Sequence, residues 1–378
     1  MKCSYFLQSH CRSCNLLDKS YAETLLLKES ELKKLFTQTN ILMKPTMGLA
    51  ENVPASRSKA KFAVFLDNNE LKFGFYQSDG TPRELEHCPL HAEGLNSLLP
   101  KLKNILNEYK IIPYDLKTKK GELKYLLLSK SGDDESSEFL IRFVLRSKES
   151  LDRLKNSLGE ILAINSKIKV VTVNIQPIHQ AIIEGDEELI LTENLAIIHQ
   201  FDEFKLALGA RSFFQVTPQI AKKLYNTVAD NILLDAPVSL IDLYCGVGAF
   251  SFYASRYCPS VTGVEISKEA IECAKNSVSM NKSKIGFHAM DVEVFLQKST
   301  AYFDAVLINP PRRGLNSAII KMINTISPKY IYYSSCNAET MARDFKELEH
   351  RYDVKSLQIF DMFPNTSHYE TLMCLVKK

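Results

Sequence analysis

The stretch Asp242-Leu243-Tyr244-Cys245-Gly246-Val247-Gly248 decides the fold, because it carries the chain from a short apolar strand, residues 238–243, into a helical stretch. Glycines at such a turn let a ligand approach the backbone closely. In open parallel sheets, ligands bind beside the carboxyl ends of the strands, where this turn lies. The spacing differs from the G-x-G-x-x-G fingerprint of dinucleotide sites. We therefore expect a ligand that carries no pyrophosphate.

An alternation of helices and strands extends around this turn, beginning with a predicted helix at 218–234. Apolar strands, each followed by a helical stretch, are predicted at 238–243, 261–265, 285–289, 305–308 and 330–334. The last two strands, 354–361 and 369–376, are too close in sequence for a crossover helix, so this pair should be antiparallel. The pattern predicts an α/β, doubly wound sheet covered on both faces. By analogy of fold, it resembles the class I S-adenosylmethionine-dependent methyltransferases.

The residues before this sheet predict two further regions. The first has a helix at 22–37 and strands at 61–66 and 71–76. The second is a mixed α+β region, with a polar loop at 131–135. Its predicted helices are 95–109 and 149–163, and its predicted strands are 125–128, 138–145, 169–176 and 188–192. We therefore predict three domains, at 1–90, 91–210 and 211–378.

The composition is that of an ordinary globular protein, with 378 residues, 45% hydrophobic and 24% charged, and a net charge of +3. So small a charge does not indicate nucleic-acid binding, and any polyanion-binding surface depends on where the charges lie. No apolar run reaches the roughly 18 residues of a membrane span. The N-terminus lacks the apolar core of a signal peptide. We expect a cytoplasmic protein with no membrane partner and no obligate protein partner.

Nine cysteines are unevenly placed along the chain. Cys3, Cys11 and Cys14 lie within the first fourteen residues, and Cys88 stands alone. In a reducing compartment such a group indicates metal binding more than disulfides. By spacing alone, zinc with a fourth ligand such as His10 or Cys88 is one candidate.

Acidic residues end the two strands that follow the glycine turn. Glu265 ends the next strand, where a carboxylate can accept hydrogen bonds from both hydroxyls of a ribose. Asp291 follows the third strand and is placed to meet an adenine amine. The alternative is a plain glycine turn with two surface acids, but the three features in this order favour a cofactor site.

Two more strand ends carry unusual residues. The fourth strand leads into Asn309-Pro310-Pro311-Arg312-Arg313-Gly314, and the fifth into Ser334-Ser335-Cys336-Asn337. A thiolate that adds to carbon 6 of a uracil makes carbon 5 nucleophilic toward a sulfonium methyl group. Such a cysteine needs a positive environment to ionise, which Arg312 could supply. The base that then removes the carbon 5 proton is predicted to be Glu370, at the start of the final strand.

These residues resemble the RNA uracil-C5 methyltransferase family. The matching motifs are Ser212-Phe213-Phe214-Gln215, Asp242-Leu243-Tyr244-Cys245-Gly246-Val247-Gly248, Asn309-Pro310-Pro311-Arg312, Ser335-Cys336-Asn337 and His368-Tyr369-Glu370. The resemblance implies that Cys336 is the nucleophile, Glu370 the general base, and Arg312 the group that steadies the enolate. It also implies cofactor contacts from Gln215, Tyr244, Glu265 and Asn309. Many family members have Asp where this chain has Asn309.

The N-terminus is similar to the ribosomal branch of the family. There, four cysteines spaced like Cys3, Cys11, Cys14 and Cys88 hold a [4Fe–4S] cluster. The resemblance implies that cluster and S-adenosylmethionine as cofactors, and 23S ribosomal RNA as partner, with uracil-747 as target. It runs nearly end to end, and lowers the weight of zinc.

Three runs interleave basic and aromatic residues and are candidates for RNA contact: 57–62, 117–125 and 142–146. Other functions stay open. The target could be a uridine in tRNA. Asn309-Pro310-Pro311 could belong to an amino methyltransferase, which needs no cysteine. The chain could also be an iron–sulfur RNA-binding or sensor protein without activity.

Overall fold

The computed structural model describes residues 1–36, 41–50, 54–132, 136–179 and 183–378. Residues 133–135 of the predicted polar loop lie outside this part. The chain divides into two compact units. Unit 1 comprises Met1–Arg12, Val53–Gln200 and Leu208–Ala210, and unit 2 comprises Ser13–Asn52, Phe201–Ala207 and Arg211–Lys378. The boundary predicted after residue 90 thus falls within unit 1, and the one after residue 210 at the start of the longest segment of unit 2.

The N-terminal segment supplies one helix to each unit. Helix α1, Ser4–Leu7, belongs to unit 1. Helix α2, Tyr21–Leu35, belongs to unit 2, close to the helix predicted at 22–37. It begins at a capping box in which the Ser20 side chain accepts from the Glu23 N–H and the Glu23 carboxylate accepts from the Ser20 N–H. The buried Nζ of Lys28 donates to Oδ1 of Asp361 at 2.5 Å, which fastens α2 to the segment that follows the penultimate strand.

Unit 1 is a seven-stranded sheet with two long helices. Its elements are β1 Lys59–Asp67, β2 Glu70–Tyr76, β3 Pro82–Glu84, α3 Leu95–Glu108, β4 Leu123–Lys130, β5 Phe139–Leu145, α4 Leu151–Ala163, β6 Ile168–Ile175 and β7 Glu187–Ile190. The strand order is β3-β2-β1-β4-β5-β6-β7. All neighbours are antiparallel except β5 and β6, which α4 connects as a parallel pair. The mixed α+β character predicted for this region is confirmed.

The core of unit 1 lies on one face of its sheet. Phe62 and Val64 of β1 and Leu126 of β4 are fully buried there together with Leu99 of α3 and Leu154 of α4. Side chains alternate between the two faces of a strand, so the residues between them, such as Lys61 and Tyr125, point to the other face.

Strands β8, Ile197–Phe201, and β9, Phe204–Leu208, pair in a separate two-stranded sheet. They were not predicted, and neither were α1 and the short β3.

Unit 2 is the alternating sheet that the sequence predicted. Its elements are α5 Pro218–Asp235, β10 Ser239–Leu243, α6 Ala249–Ala254, β11 Ser260–Glu265, α7 Lys268–Asn281, β12 Gly286–Ala289, α8 Val292–Lys298, β13 Ala305–Ile308, α9 Ser317–Ile326, β14 Tyr330–Ser335, α10 Ala338–Lys346, β15 Tyr352–Phe360 and β16 Glu370–Lys377. The strand order is β12-β11-β10-β13-β14-β16-β15. The first five strands are parallel, and β16 is antiparallel to both β14 and β15, as expected.

Helices cover both faces of this sheet. On one face, Leu32 of α2, Ile320 of α9 and Met341 of α10 share a core with Ile241 and Val306 of the central strands. On the other face, Ser251 of α6 donates to Asp242 of β10 at 2.6 Å, and Tyr332 of β14 donates to Asp235 of α5 at 2.9 Å. The strands are therefore buried on both sides, which explains their continuous apolar runs. In the described ranges, no helix has the length and apolarity that would let it cross a bilayer.

Candidate active site

The glycine turn between β10 and α6 is built from residues in the left-handed region. Tyr244, Gly246 and Gly248 have φ angles of 62°, 55° and 84°. A Cβ on Gly248 would lie 2.4 Å from the Phe287 ring, so this glycine is required by packing. A Cβ on Gly246 would meet no atom within 4 Å. The turn is thus firmly packed at Gly248 and open at Gly246. The open space would let a ligand approach the backbone of Gly246.

Glu265, at the end of β11, is held against this turn by two backbone donors. The N–H of Gly246 donates to Oε2 at 3.3 Å, and the N–H of Ser267 donates to Oε1 at 2.9 Å. Each carboxylate oxygen has a second lone pair, so the side chain keeps capacity for the two hydroxyls of a ribose. The geometry fits the cofactor contact expected of Glu265.

The buried carboxyl of Asp242 lies one residue before the end of β10, and sequence reasoning missed it as a site residue. Its Oδ2 accepts from Ser251 at 2.6 Å, and among the described residues its Oδ1 has no hydrogen-bond partner. Burial raises the pKa of Asp242 to about 7, and the charge of Glu265 adds to the effect. The available signal was an acid within an apolar strand.

Asp291 and Tyr244 lie on the loops beside the turn. The exposed Asp291 is the N-cap of α8, because its Oδ1 accepts from the N–H groups of Glu293 and Val294. Burial raises the pKa of Tyr244 to about 12, and the charge of Asp291 is the next cause. These two residues therefore lie near each other, as their expected roles require.

Gln215 is 4% exposed, in a segment that several contacts fix to unit 2. The N–H of Arg211 donates to Oε1 of Glu269 at 2.9 Å, and the hydroxyl of Thr217 donates to the carbonyl of Met362 at 2.8 Å. Two residues before Gln215, Phe213 is 67% exposed.

Asn309 connects the glycine turn to the predicted base. Its N–H donates to the carbonyl of Leu243 in β10 at 3.4 Å. Its side-chain Nδ2 donates to Oε1 of Glu370 at 3.0 Å and to the carbonyl of Ser334 at 3.2 Å. The Ser334 hydroxyl donates to the same Oε1 at 2.5 Å. Burial raises the pKa of Glu370 to about 7, although both hydrogen bonds lower it. A carboxyl that titrates near neutrality is suited to general-base chemistry.

Cys336 and Glu370 lie at the same edge of the sheet. The antiparallel register pairs Ser335 with Thr371, so Cys336 and Glu370 are the next residues outward. Cys336 is half-buried, whereas Cys245, Cys258, Cys273 and Cys374 are buried. Burial raises the pKa of the Cys336 thiol, and the charge of Glu370 raises it further, while a hydrogen bond and the charge from Arg312 lower it.

Arg312 is positioned through its own backbone. Nδ2 of Asn337 donates to the Arg312 carbonyl at 3.1 Å, and the hydroxyl of Thr340 donates to it at 3.4 Å. Asn337 is also the N-cap of α10, which begins two residues after Cys336. The structure therefore brings Cys336, Arg312, Asn309 and Glu370 together at the carboxyl edge of the parallel strands. The arrangement places the Cys336 thiol beside one cation, Arg312, and one carboxyl group, Glu370.

The N-terminal cysteines are divided between the units. Cys3, Cys11 and Cys88 lie in unit 1, and Cys14 lies in unit 2. Burial raises the pKa of Cys88, and the charges of Cys3 and Cys11 raise it as well, so these three thiols lie within electrostatic range of one another. Within the described part of the chain, however, no three His, Cys, Asp or Glu side chains are close enough to hold a metal ion. The donor types thus suit a cluster, but the described residues do not form a ready set of ligands.

A model of a known protein family matches nearly the whole chain. The model of the tRNA (Uracil-5-)-methyltransferase family covers residues 20–378. The chain belongs to this family of uracil-5 methyltransferases. The family predicted from the sequence is confirmed, and with it that the protein is a methyltransferase.

Full-length relatives of this family member are named for ribosomal RNA. The chain is 38% identical over 382 residues to the 23S rRNA (uracil(747)-C(5))-methyltransferase RlmC of Shewanella pealeana, with 100% of both chains covered. It is 38% identical to the RlmC of Vibrio cholerae and 37% identical to that of Escherichia coli O157:H7, each over 380 residues with 100% of both chains covered.

A solved structure shows the same fold. The tRNA (uracil-54, C5)-methyltransferase of Pyrococcus abyssi, crystallised with S-adenosyl-L-homocysteine, aligns with 96% of this chain and 85% of its own, at a TM-score of 0.78 and 24% identity. The uracil-5 methyltransferase described here thus has the class I S-adenosylmethionine-dependent methyltransferase fold, as the sequence predicted. The strand order and the glycine turn described above belong to unit 2.

Proposed function

We propose that this protein transfers a methyl group from S-adenosylmethionine to carbon 5 of a uridine in 23S ribosomal RNA, and that the uridine is number 747. The full-length relatives named for that reaction support the substrate. The observation that carries the chemistry is the position of Cys336 beside both Arg312 and the buried Glu370. A ribosomal RNA substrate in turn implies action in the cytoplasm.

In the first step, the Sγ of ionised Cys336 adds to carbon 6 of the uracil. The electron pair of the carbon 5–carbon 6 double bond moves toward the oxygen on carbon 4 and gives an enolate. The Arg312 guanidinium stabilises the thiolate by its charge and hydrogen bond, and then the enolate. The enolate carbon 5 takes the methyl group from the sulfonium, which leaves as the neutral thioether.

In the second step, Glu370 removes the proton from carbon 5. Its Oε1 already accepts from Asn309 and Ser334, so Oε2 is the oxygen that takes the proton. The electron pair of the broken C–H bond re-forms the double bond and expels the Cys336 thiolate. The methylated base is then released, and the protonated Glu370 returns its proton to solvent.

The methyl donor is proposed to contact Gln215, Tyr244, Glu265 and Asn309, beside the backbone of Gly246. Gly246 leaves open space at the turn, and Glu265 is oriented there by backbone N–H groups to accept from the ribose hydroxyls. Tyr244 borders the same turn, and Gln215 and Asn309 lie in the buried segments that complete the site. The donor supplies the methyl group, and these residues orient it.

We also propose that Cys3, Cys11, Cys14 and Cys88 hold a [4Fe–4S] cluster. Four thiolates satisfy such a cluster, and the charges of Cys3 and Cys11 act on Cys88. Iron and sulfide analysis of anaerobically purified protein should give about four of each per chain. Zinc in place of iron would contradict the proposal.

The uracil chemistry is tested by tritium release. RNA with tritium on carbon 5 of uridine must release it to water when that carbon is methylated, and 5-fluorouridine RNA should form a covalent adduct at Cys336. The Cys336→Ala variant should be inactive. Retained activity in that variant would favour amino methylation instead.

The substrate is tested separately by mapping 5-methyluridine in 23S rRNA and tRNA from cells with and without the gene. Loss at position 747 supports the proposal. Loss only in tRNA would make the protein a tRNA methyltransferase.

A further inference from the structure

The three basic and aromatic runs of the sequence differ in what they offer to RNA. Arg142, in the run 142–146, is 1% exposed and is paired with Glu188 at 2.5 Å and Glu184 at 2.9 Å. Arg146 is paired with Glu122 at 2.8 Å. These arginines therefore stabilise unit 1 through ion pairs, and the RNA contact of this run stays a prediction.

The run 117–125 instead borders a small pocket of unit 1. The pocket is shallow and opens to solvent, with an interior of only about 10 Å³, and we call it the tyrosine pocket; it is lined by Tyr76, Tyr114, Leu116, Lys124, Tyr125 and His179. Tyr125 of β4 pairs in register with Ala63, and Ala63 pairs with Gly74, two residues before Tyr76. Tyr76 and Tyr125 thus lie on one face of the sheet, opposite the buried core of unit 1. Both are half-buried, so parts of their rings face solvent.

The phenols of Tyr76 and Tyr125 remain neutral at physiological pH. Burial raises the pKa of Tyr76 to about 12 and raises that of Tyr125 as well. Tyr114 is buried and its hydroxyl lies 2.9 Å from Nδ1 of His179. Neutral aromatic rings provide faces for stacking a base, and hydroxyl groups for its polar edge.

A buried cation lies behind these rings. Nζ of Lys124 is 4.9 Å from the centroid of the Tyr114 ring and donates to the carbonyls of Gln176 and Ile178 at 2.9 and 2.6 Å and to the side-chain oxygen of Gln176. All three acceptors are neutral, and no carboxylate in the described segments forms an ion pair with it. A buried charge without a counter-ion is costly. An anion at the pocket would reduce that cost.

The rim of the pocket is a structured loop that presents three lysines. Oδ1 of Asp115 accepts from the N–H groups of Lys117 and Thr118 at 2.9 and 2.6 Å, and the N–H of Asp115 donates to the carbonyl of Lys120 at 2.8 Å. Asp115 thereby fixes the turn, and Lys117, Lys119 and Lys120 are exposed. We call residues 115–121 the lysine loop. It joins directly to β4, which carries Lys124 and Tyr125.

We propose that the solvent-facing surface of the tyrosine pocket, rather than its interior, binds one unpaired nucleotide of the RNA substrate, distinct from the uridine that is methylated. The base stacks on Tyr76 and Tyr125, and the lysine loop holds the adjoining phosphates. This inference rests on the proposed function in that the ligand is the substrate RNA. It adds a recognition site in unit 1, remote in sequence from the catalytic residues of unit 2.

Two sets of variants test the site, with binding of a 23S rRNA fragment measured over a range of salt. Replacing Tyr76 and Tyr125 with Leu removes the rings, whereas replacing both with Phe keeps them. Replacing Lys117, Lys119 and Lys120 with Gln removes the charges. The matched control replaces Lys101, Lys110 and Lys155 with Gln, since these are also exposed lysines of unit 1 but lie on or next to α3 and α4.

The Leu pair should raise Kd and KM roughly tenfold or more, as loss of one stacked base does, with kcat at saturating RNA within about twofold. The Phe pair should bind like the wild type. The lysine-loop variant should lower the slope of log Kd against log salt by about two, at roughly 0.7 per lost phosphate contact, and the control should not. Thermal unfolding checks that each variant is folded.

Wild-type Kd and salt dependence in both the Leu pair and the lysine-loop variant would overturn the inference. Equal effects of the lysine-loop variant and its control would show a general charge effect and overturn it as well. Because binding is measured apart from methylation, failure of the proposed reaction is distinguished by a wild-type enzyme that releases no tritium.

Discussion

Nδ2 of Asn309 donates to Oε1 of Glu370 at 3.0 Å, across sixty-one residues of sequence. Asn309 is neutral, so it donates this hydrogen bond without placing a second charge beside the buried carboxyl group of Glu370. A hydrogen bond to the ionised form lowers the pKa of the acid, and here it opposes the effect of burial. Asn309 therefore connects the glycine turn to the carboxyl group that is proposed as the general base.

The substitution Asn309→Asp should raise the pKa of Glu370 above its value of about 7. The donor is lost, and a second carboxylate 3 Å away makes the pair share a proton. Since the base must be ionised to act, the rise of kcat with pH should move upward by about one unit or more. The measurement is tritium release from pH 6 to pH 9.5.

Ser334→Ala removes the other donor to Oε1 without adding charge, and should move the profile less. An unchanged profile in Asn309→Asp would contradict the role assigned to this hydrogen bond.

The raised pKa of Glu370 also predicts a dependence of stability on pH. The folded protein keeps a proton that the unfolded chain releases above its ordinary pKa of 4.5. The resulting stability is full below pH 4.5 and is lost as the pH rises through about 7. Glu370→Gln removes this titration, so its free energy of unfolding relative to the wild type should increase between pH 5 and pH 8, by up to about 3 kcal/mol.

Urea unfolding of both proteins at several pH values measures this difference. Asp242→Asn is the matched comparison, because burial raises the pKa of Asp242 to about 7 too, and it should behave in the same direction. Glu370→Gln should be inactive, because it lacks the proposed base. The comparison with Asp242→Asn concerns stability alone, and no loss of activity is predicted for that variant. A relative stability that is flat with pH would show that Glu370 is not protonated in the folded protein near neutrality.

We expect Arg312 to control the reactivity of the Cys336 thiol. Its hydrogen bond and charge lower the pKa of a thiol that burial raises. In Arg312→Gln the midpoint of Cys336 alkylation by iodoacetamide should therefore move to higher pH, with a fall in kcat of a hundredfold or more, as for loss of an oxyanion donor. Alkylation is followed by mass spectrometry of the peptide containing Cys336, because the chain has nine cysteines. Arg313→Gln is the control, and an equal shift there would mean that no specific contact is involved.

The sequence predicted the order of strands and helices in unit 2 because both faces of each strand are buried, which gives short apolar runs between amphipathic helices. It also indicated Cys336, Arg312 and Glu370, because each follows or begins such a strand; the structure brings them together, and their catalytic roles stay predictions. The partners of these residues could not be predicted, since hydrogen bonds such as Asn309 to Glu370 depend on pairing between distant strands. The assignment of α2 to unit 2 depends likewise on the buried pair of Lys28 and Asp361, 333 residues apart.

Replacement by Ala should have different effects at Gly246 and Gly248, although they are only two residues apart: it should weaken ligand binding at Gly246 and folding at Gly248. In Gly248→Ala the new Cβ would lie 2.4 Å from the Phe287 ring, at a φ of 84°, so the folded protein should be destabilised by several kcal/mol. In Gly246→Ala the Cβ enters open space, and only the left-handed φ of 55° costs about 1 kcal/mol. Since the proposed methyl donor approaches that space, its Kd should rise at least tenfold while the melting temperature falls by only a few degrees.

Calorimetry of S-adenosylhomocysteine binding and thermal unfolding of both variants separate the two effects. Gly159→Ala serves as the control, because a Cβ there also meets no atom within 4 Å and the residue lies within α4 of unit 1. It should leave binding unchanged. Wild-type affinity in a folded Gly246→Ala protein would move the methyl donor away from this turn, because the side chain would then occupy space that the ligand does not use.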